Sequence, residues 1–135
     1  MANVRVNLNV SSNTVMSSPL TLNVSTNINA DSGSLIRGKV LGVVAGSDAT
    51  VVYKASDKLQ SAYIFIRNLS NELEDYIYVY ADTTTDDPVV LKIAGGQFAF
   101  CPVPNDVDLK AYGTKVDQVV EYGVFGLDSS AVRLS

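Results

Sequence analysis

The run VVLKIAGGQFAF at residues 89–100 sets two adjacent glycines between two alternating apolar segments. A phosphate-cradling loop needs G-x-G-x-x-G or G-x-x-x-x-G-K-[ST] between a strand and a helix, where backbone N–H groups and the helix N-terminus meet the anion together. Here the glycines lead straight into another strand-like segment, so Gly95 and Gly96 are expected to supply the positive backbone angles of a tight hairpin. They turn the chain and catalyse nothing.

The other reactive side chains are as sparse. Histidine is absent, which removes the commonest general base, the commonest nitrogen ligand for metals and every His-dependent triad. With one cysteine as well, a zinc site has too few ligands. That cysteine, Cys101, sits in QFAFCP, where a thiol is expected to behave as a small buried hydrophobe. The 14 carboxylates cluster in polar stretches, DTTTDDP at 82–88, NELED at 71–75 and NDVD at 105–108, which read as solvated turns. Asp82, Asp86 and Asp87 could gather oxygen ligands for calcium, but the ordered Asp-x-Asp-x-Asp-Gly spacing is missing. No catalytic residue, metal or cofactor is assigned. Asn9, Asn23 and Asn68 each head an Asn-x-Ser triplet, read as chance matches because the first 30 residues lack the layout of a secretion signal.

The elements that carry these residues are strands. From Val4 the apolar side chains fall two apart, Val4, Val6, Leu8 and Val10 on one face with Arg5, Asn7 and Asn9 on the other. The pattern returns after Pro19 as Leu20, Leu22, Val24 and Ile28, and LNVSSN at 8–13 matches LNVSTN at 22–27 except at Ser12 against Thr26. Asn, Ser and Thr fill 15 of the first 30 positions, too many for a core segment. Residues 1–30 are therefore expected to be an arm that gains order on a neighbouring chain, or else two edge strands of the same domain. Further strands are expected at 35–44, 50–55, 62–67, 76–81, 89–93, 97–101, 107–112 and 118–127, with turn residues between them, and only 59–64 or 69–75 could hold a helical turn.

Residues 31–135 are accordingly expected to form one all-β domain, an antiparallel two-sheet sandwich of jelly-roll-like kind, with the extended N-terminal arm before it. The length of 135 residues suits one self-sufficient core. A 47% hydrophobic and only 18% charged composition suggests that part of the surface faces other protein. A net charge of −4 leaves no excess of Lys and Arg for nucleic acid or an anionic membrane, so neither is an expected partner. No stretch reaches the roughly 20 apolar residues of a membrane helix. Tyr76, Tyr78 and Tyr80 share one strand face opposite Ile77 and Val79, an aromatic row that suits a subunit contact or, alternatively, a stacking platform for sugar rings.

The segment YIFIRNLSNELEDYIYVY at 63–80, then VVLKIAGGQFAFCPV at 89–103 and the closing VVEYGVFGL, resembles a pattern in small virion proteins of tailed bacteriophages. The likeness covers about residues 61–127, and its marks are strand alternation, Asn68, Gly95, Gly96 and Phe98. It implies a non-enzymatic β-sandwich that is made in the host cytoplasm and sits in the virion, as a capsid decoration or cement protein; a neck, tail or fibre-base component is the alternative. The expected partners are further copies of the chain, with a trimer favoured, and the major capsid protein or other virion proteins. The expected contact residues are Val4, Val6, Leu8, Leu20, Leu22, Val24, Tyr76, Tyr78 and Tyr80. A carbohydrate-binding sandwich using the tyrosine row is the reading from a different class.

Overall fold

The structure, a computed structural model, describes residues 2–30, 32–40, 42, 49–55, 59–82, 88–115 and 117–128. Ten strands account for most of them: β1 (Ala2–Ser12), β2 (Leu20–Ala30), β3 (Ser32–Val40), β4 (Thr50–Tyr53), β5 (Leu59–Asn68), β6 (Ile77–Ala81), β7 (Val89–Ile93), β8 (Phe98–Val103), β9 (Leu109–Gly113) and β10 (Gln118–Asp128). No described residue is helical. The expected helical turn at 59–64 lies within β5, where Tyr63, Ile64, Phe65 and Ile66 favour extended backbone, and residues 69–75 form turns and bends.

β1 and β2 pair only with each other, and the other eight strands form two four-stranded antiparallel sheets, β3-β10-β5-β8 and β4-β9-β6-β7. The pairing is nested: β3 with β10, β4 with β9, β5 with β8 and β6 with β7. A chain paired in this way is one long hairpin, doubled back between β6 and β7 and then rolled up, which is the jelly roll. The expected antiparallel two-sheet sandwich is the observed fold.

Period-two alternation explains what holds the layers together. One face of each strand must bury its side chains against the facing sheet. Ala62, Ile64 and Ile66 of β5, Val120 of β10 and Val40 of β3 supply one layer of the core; Ile77 and Val79 of β6, Leu109 and Ala111 of β9, Val52 of β4 and Ile93 of β7 supply the other. Ala99, Cys101 and Val103 of β8 and Leu91 of β7 pack against the margin of this cluster.

At one end of the sandwich, Asn68 ties the two layers. It is fully buried, and its side-chain amide donates to the carbonyls of Asp75 and Ile93 while its Oδ1 accepts from the Ser70 N–H at 3.1 Å. Its backbone donates to the Gln97 carbonyl and accepts from the Gly96 N–H, each at 2.9 Å. With its side-chain nitrogen committed to two carbonyls, Asn68 is closed to glycan attachment. Two loops are thus pinned to one residue: 69–75, leading into β6, and 94–97, joining β7 to β8.

This arrangement corrects the expectation for the glycine pair. β7 and β8 belong to different sheets, so Gly95 and Gly96 turn the chain from one layer to the other and do not close a hairpin of paired strands. The turn is closed by Gln97 N–H to the Ala94 carbonyl at 3.1 Å, and only Gly96 has positive φ, +81°. A four-residue turn with positive φ at its third residue is type II, in which glycine is favoured there. Gly95 serves a different need, because a Cβ at that position would fall on the Glu72 carbonyl. Only a residue without a side chain lets the 69–75 loop cross there.

Asn68→Ala strips partners from two carbonyls and one N–H inside the protein, and is expected to cost more than about 2 kcal/mol in chemical denaturation. Asn68→Asp keeps the shape but replaces the donor with an acceptor facing two carbonyls; it is expected to be no better tolerated. Gly95→Ala is expected to prevent stable folding, whereas Gly96→Ala, with open space around it, should cost only about 1–2 kcal/mol.

Candidate functional site

Three surfaces present side chains that the fold does not need for its core. The first is the β1–β2 ribbon. Its register pairs Val4 with Ile28, Val6 with Thr26, Leu8 with Val24 and Val10 with Leu22, and ends with Ser12 opposite Leu20. One face is therefore almost wholly aliphatic. The other carries Asn3 with Asn29, Arg5 with Asn27, Asn7 with Ser25 and Asn9 with Asn23, and there Ser25 Oγ donates to Asn7 Oδ1 at 2.7 Å. The repeated LNV triplets lie antiparallel across from each other, so the short duplication pairs with itself about the Asn9–Asn23 step.

The ribbon is an element in its own right, and not a pair of edge strands in either large sheet. Only its base is packed: Ile28 and Ala30 are buried, and β2 touches β10. Farther out the aliphatic face is open, with Leu8 44% and Val24 49% exposed; Val10 and Leu22 are exposed as well. Val4, Val6 and Leu20 are half-buried. The six expected arm contacts, Val4, Val6, Leu8, Leu20, Leu22 and Val24, thus lie on one face. Val15 and Met16, in the loop at the tip, are exposed too.

The second surface is the outer side of the β4-β9-β6-β7 sheet. Tyr76, just before β6, Tyr78 and Tyr80 share it, as expected, but their ring contacts run through Tyr112 of β9. Tyr76 lies 6.3 Å from Tyr78, Tyr78 5.1 Å from Tyr112, and Tyr112 5.7 Å from Tyr80 between ring centroids. The Lys92 ammonium sits 4.2 Å over the Tyr76 ring. Tyr80 is only 1% exposed and cannot be a contact residue in the way Tyr76 and Tyr78 can. The β6–β7 register shifts between Val79 and Tyr80, and on the β9 side the Tyr80 ring packs against Tyr112. The tyrosines spend part of their ring faces on one another and on Lys92, which leaves a poor platform for a sugar.

The third surface escaped the sequence reading. On the outer side of the β3-β10-β5-β8 sheet, the registers place Leu35, Gly123, Phe65 and Phe100 in one row and Gly33, Phe125, Tyr63 and Pro102 in the next. Phe98 joins them beside Arg67 and is 64% exposed, and Leu35 is exposed as well. All four phenylalanines of the chain lie on this outer face. Tyr63 stacks on Phe100 at 6.0 Å, Phe65 meets Phe98 at 6.4 Å, and Phe100 meets Phe125 at 6.2 Å. The signal in the sequence was the parity of Tyr63, Phe65 and Arg67, since a charge on that face marks it as outward.

Several titratable groups among the described residues are tied into the fold. Among the described residues no three His, Cys, Asp or Glu side chains converge on a point. Asp82 pairs with Lys110 at 3.0 Å, and Asp86 and Asp87 lie outside the described residues. Cys101 is partly buried on the wall of an apolar cleft of about 250 Å³ at the β7–β8 edge, lined also by Leu91, Val103 and Leu109. Burial pushes its thiol pKa up, which favours the protonated form. The Ser70 hydroxyl, 2.7 Å away, and the Lys115 ammonium, 3.1 Å away, hold the Asp75 carboxyl below the usual range. Asp108 is held low by the Ala55 N–H at 2.7 Å and by Lys54 at 3.0 Å. No protein-family model, curated protein or solved structure matches the chain.

Because both carboxyls are depressed in the folded state, each contributes stability that is present above the ordinary Asp range and lost as acid protonates it. Stability is expected to fall as the pH drops below about 4, and Asp75→Asn should flatten part of that fall. Denaturation curves at pH 7, 5 and 3 check both statements; an unchanged midpoint across them would contradict the pairing.

Proposed function

We infer that this chain is a non-enzymatic structural protein of a virion, of the capsid decoration or cement kind, which binds neighbours through strand faces and the N-terminal arm. The observation that carries the reading is the open aliphatic face of the β1–β2 ribbon. A two-stranded ribbon is marginal in water on its own, and an exposed apolar stripe of this length marks a surface meant for protein. Supporting it, the jelly roll is an architecture that recurs in viral capsid proteins, although a fold by itself does not fix function. The chain also has no histidine, and Asp75, Asp82 and Asp108 are engaged in hydrogen bonds and ion pairs within the fold.

Assembly of this kind works by summed contacts. Each arm adds a modest apolar area, and several held in one symmetric particle act together through their high effective concentration. Neck, tail or fibre-base placement would use the same surfaces, and the location within the particle decides between them.

Mass spectrometry of virions produced by the genome that encodes the chain is expected to find its peptides in stoichiometric amount. Its absence from purified particles would remove this reading. In the full-length chain, Leu8→Lys, which places a charge on the open face without touching the core, is expected to lower incorporation at least tenfold while the circular dichroism spectrum stays that of the parent.

A further inference from the structure

Among the described residues two apolar surfaces lie uncovered, and they differ in kind. The ribbon offers a long, narrow, aliphatic face without a charge on it. The outer side of the β3-β10-β5-β8 sheet offers a broad aromatic face, with Arg67 and the Arg37–Glu121 pair, 3.7 Å apart, confined to one end. Aliphatic and aromatic faces of β-sheets pack on each other at about 10 Å with their strands roughly aligned. Each surface has the form of the other's cover.

The chain does not make this contact within itself, since Leu8, Val10, Leu22 and Val24 are exposed. Asp31 alone stands between the end of β2 and the start of β3, and β3 is an edge strand of the aromatic sheet. Laying the ribbon back over that sheet needs a reversal of direction, for which even the tightest hairpin uses two residues. Leu8, Val10, Leu22 and Val24 of the ribbon and Phe98 of the sheet are accordingly exposed, open to another molecule.

We propose that the aliphatic face of the ribbon of one copy docks on the aromatic outer sheet of a second copy, around Tyr63, Phe65, Phe98 and Phe100, so that each chain donates one arm and accepts one. The ribbon is about 36 Å long and about 10 Å wide from strand geometry. Laid on a sheet, it removes on the order of 1,000 Å² of accessible surface from the two partners together, the lower bound for a specific contact, which repetition around a closed assembly then reinforces. Pairing arm with arm would bury a similar area and leave Phe98 exposed, with Phe65, Phe100 and Phe125 half-buried beside it; the exchange covers both surfaces at once. A donor-to-acceptor contact of this type leaves an unused arm and an unused face at the two ends of any open chain of copies, and is completed when the copies close into a ring. The inference rests on reading the chain as an assembly protein, and it names the partner as the chain itself.

Two single substitutions test it in the full-length protein. Val24→Lys charges the ribbon face, and Phe98→Lys charges the aromatic face; both positions are exposed, so neither change enters the core. Leu8→Lys and Leu35→Lys repeat the test at a second position on each surface. By sedimentation, the parent is expected to be a closed oligomer, and each variant a folded monomer of 14.4 kDa. Mixing the two variants in equal amounts should then give a dimer that grows no further, because the mixture holds one intact arm for one intact face. A monomeric parent overturns the proposal. So does a Phe98→Lys protein that assembles like the parent, or a mixture that stays monomeric. If the exchange occurs but the chain is absent from virions, the virion reading fails and this one stands.

Discussion

A β-strand gives each side chain one of two faces, and in this chain the inward faces are already filled. Ile64, Ile66, Ile77, Val79 and Val120 are fully buried between the two sheets, and smaller residues such as Ala62 and Ala111 complete the layer. Among the described residues, most large apolar groups outside this core cluster lie on an outward face, at a loop or on the ribbon. For a chain of 47% hydrophobic residues the surplus is large, and it collects in the β1–β2 face and the aromatic side of the β3-β10-β5-β8 sheet. The functional reading follows from that surplus and not from any reactive group.

The rolled topology needs a fixed point where the chain passes between layers, and Asn68 supplies one. It stands at the end of β5 in one sheet while its side chain binds Ile93 at the end of β7 in the other. Gly95 allows the 69–75 loop to come close enough for Asn68 to bind Asp75 as well. The Ser70, Asp75 and Lys115 cluster extends the tie to the turn before β10. Most polar groups at this end are satisfied by one another, the buried Gln118 Nε2 excepted, so the sandwich can be closed there without a larger core.

The strands were legible because their alternation is local. Val89–Ile93 was placed to the residue, and β5, β6, β8, β9 and β10 within a few residues of their ends. What depends on distant partners was not legible. The glycine turn was read as a hairpin because sequence adjacency does not say that β7 and β8 belong to different sheets. Tyr80 shares its parity with Tyr76 and Tyr78, and nothing local announces that its ring is buried against Tyr112 of β9. In YIFIR both parities are apolar, and in QFAF the bulky rings invite an inward assignment; yet Ala99 and Cys101 face the core margin, where the isoleucines of β5 and β6 already fill the volume. The arm contacts were legible as one face of two strands, although their mutual pairing in a free-standing ribbon was not.

The central claim is that the ribbon is covered by another chain, and amide hydrogen exchange reads this directly. A bare two-stranded ribbon opens readily, whereas one packed on a sheet holds its cross-strand bonds. The amides of β1 and β2 should exchange slowly when the protein is concentrated, and rapidly once it is diluted below its association range, while β5 and β6 stay protected throughout. Rapid exchange of β1 and β2 at every concentration, or slow exchange in a chain shown to be monomeric, would contradict the account.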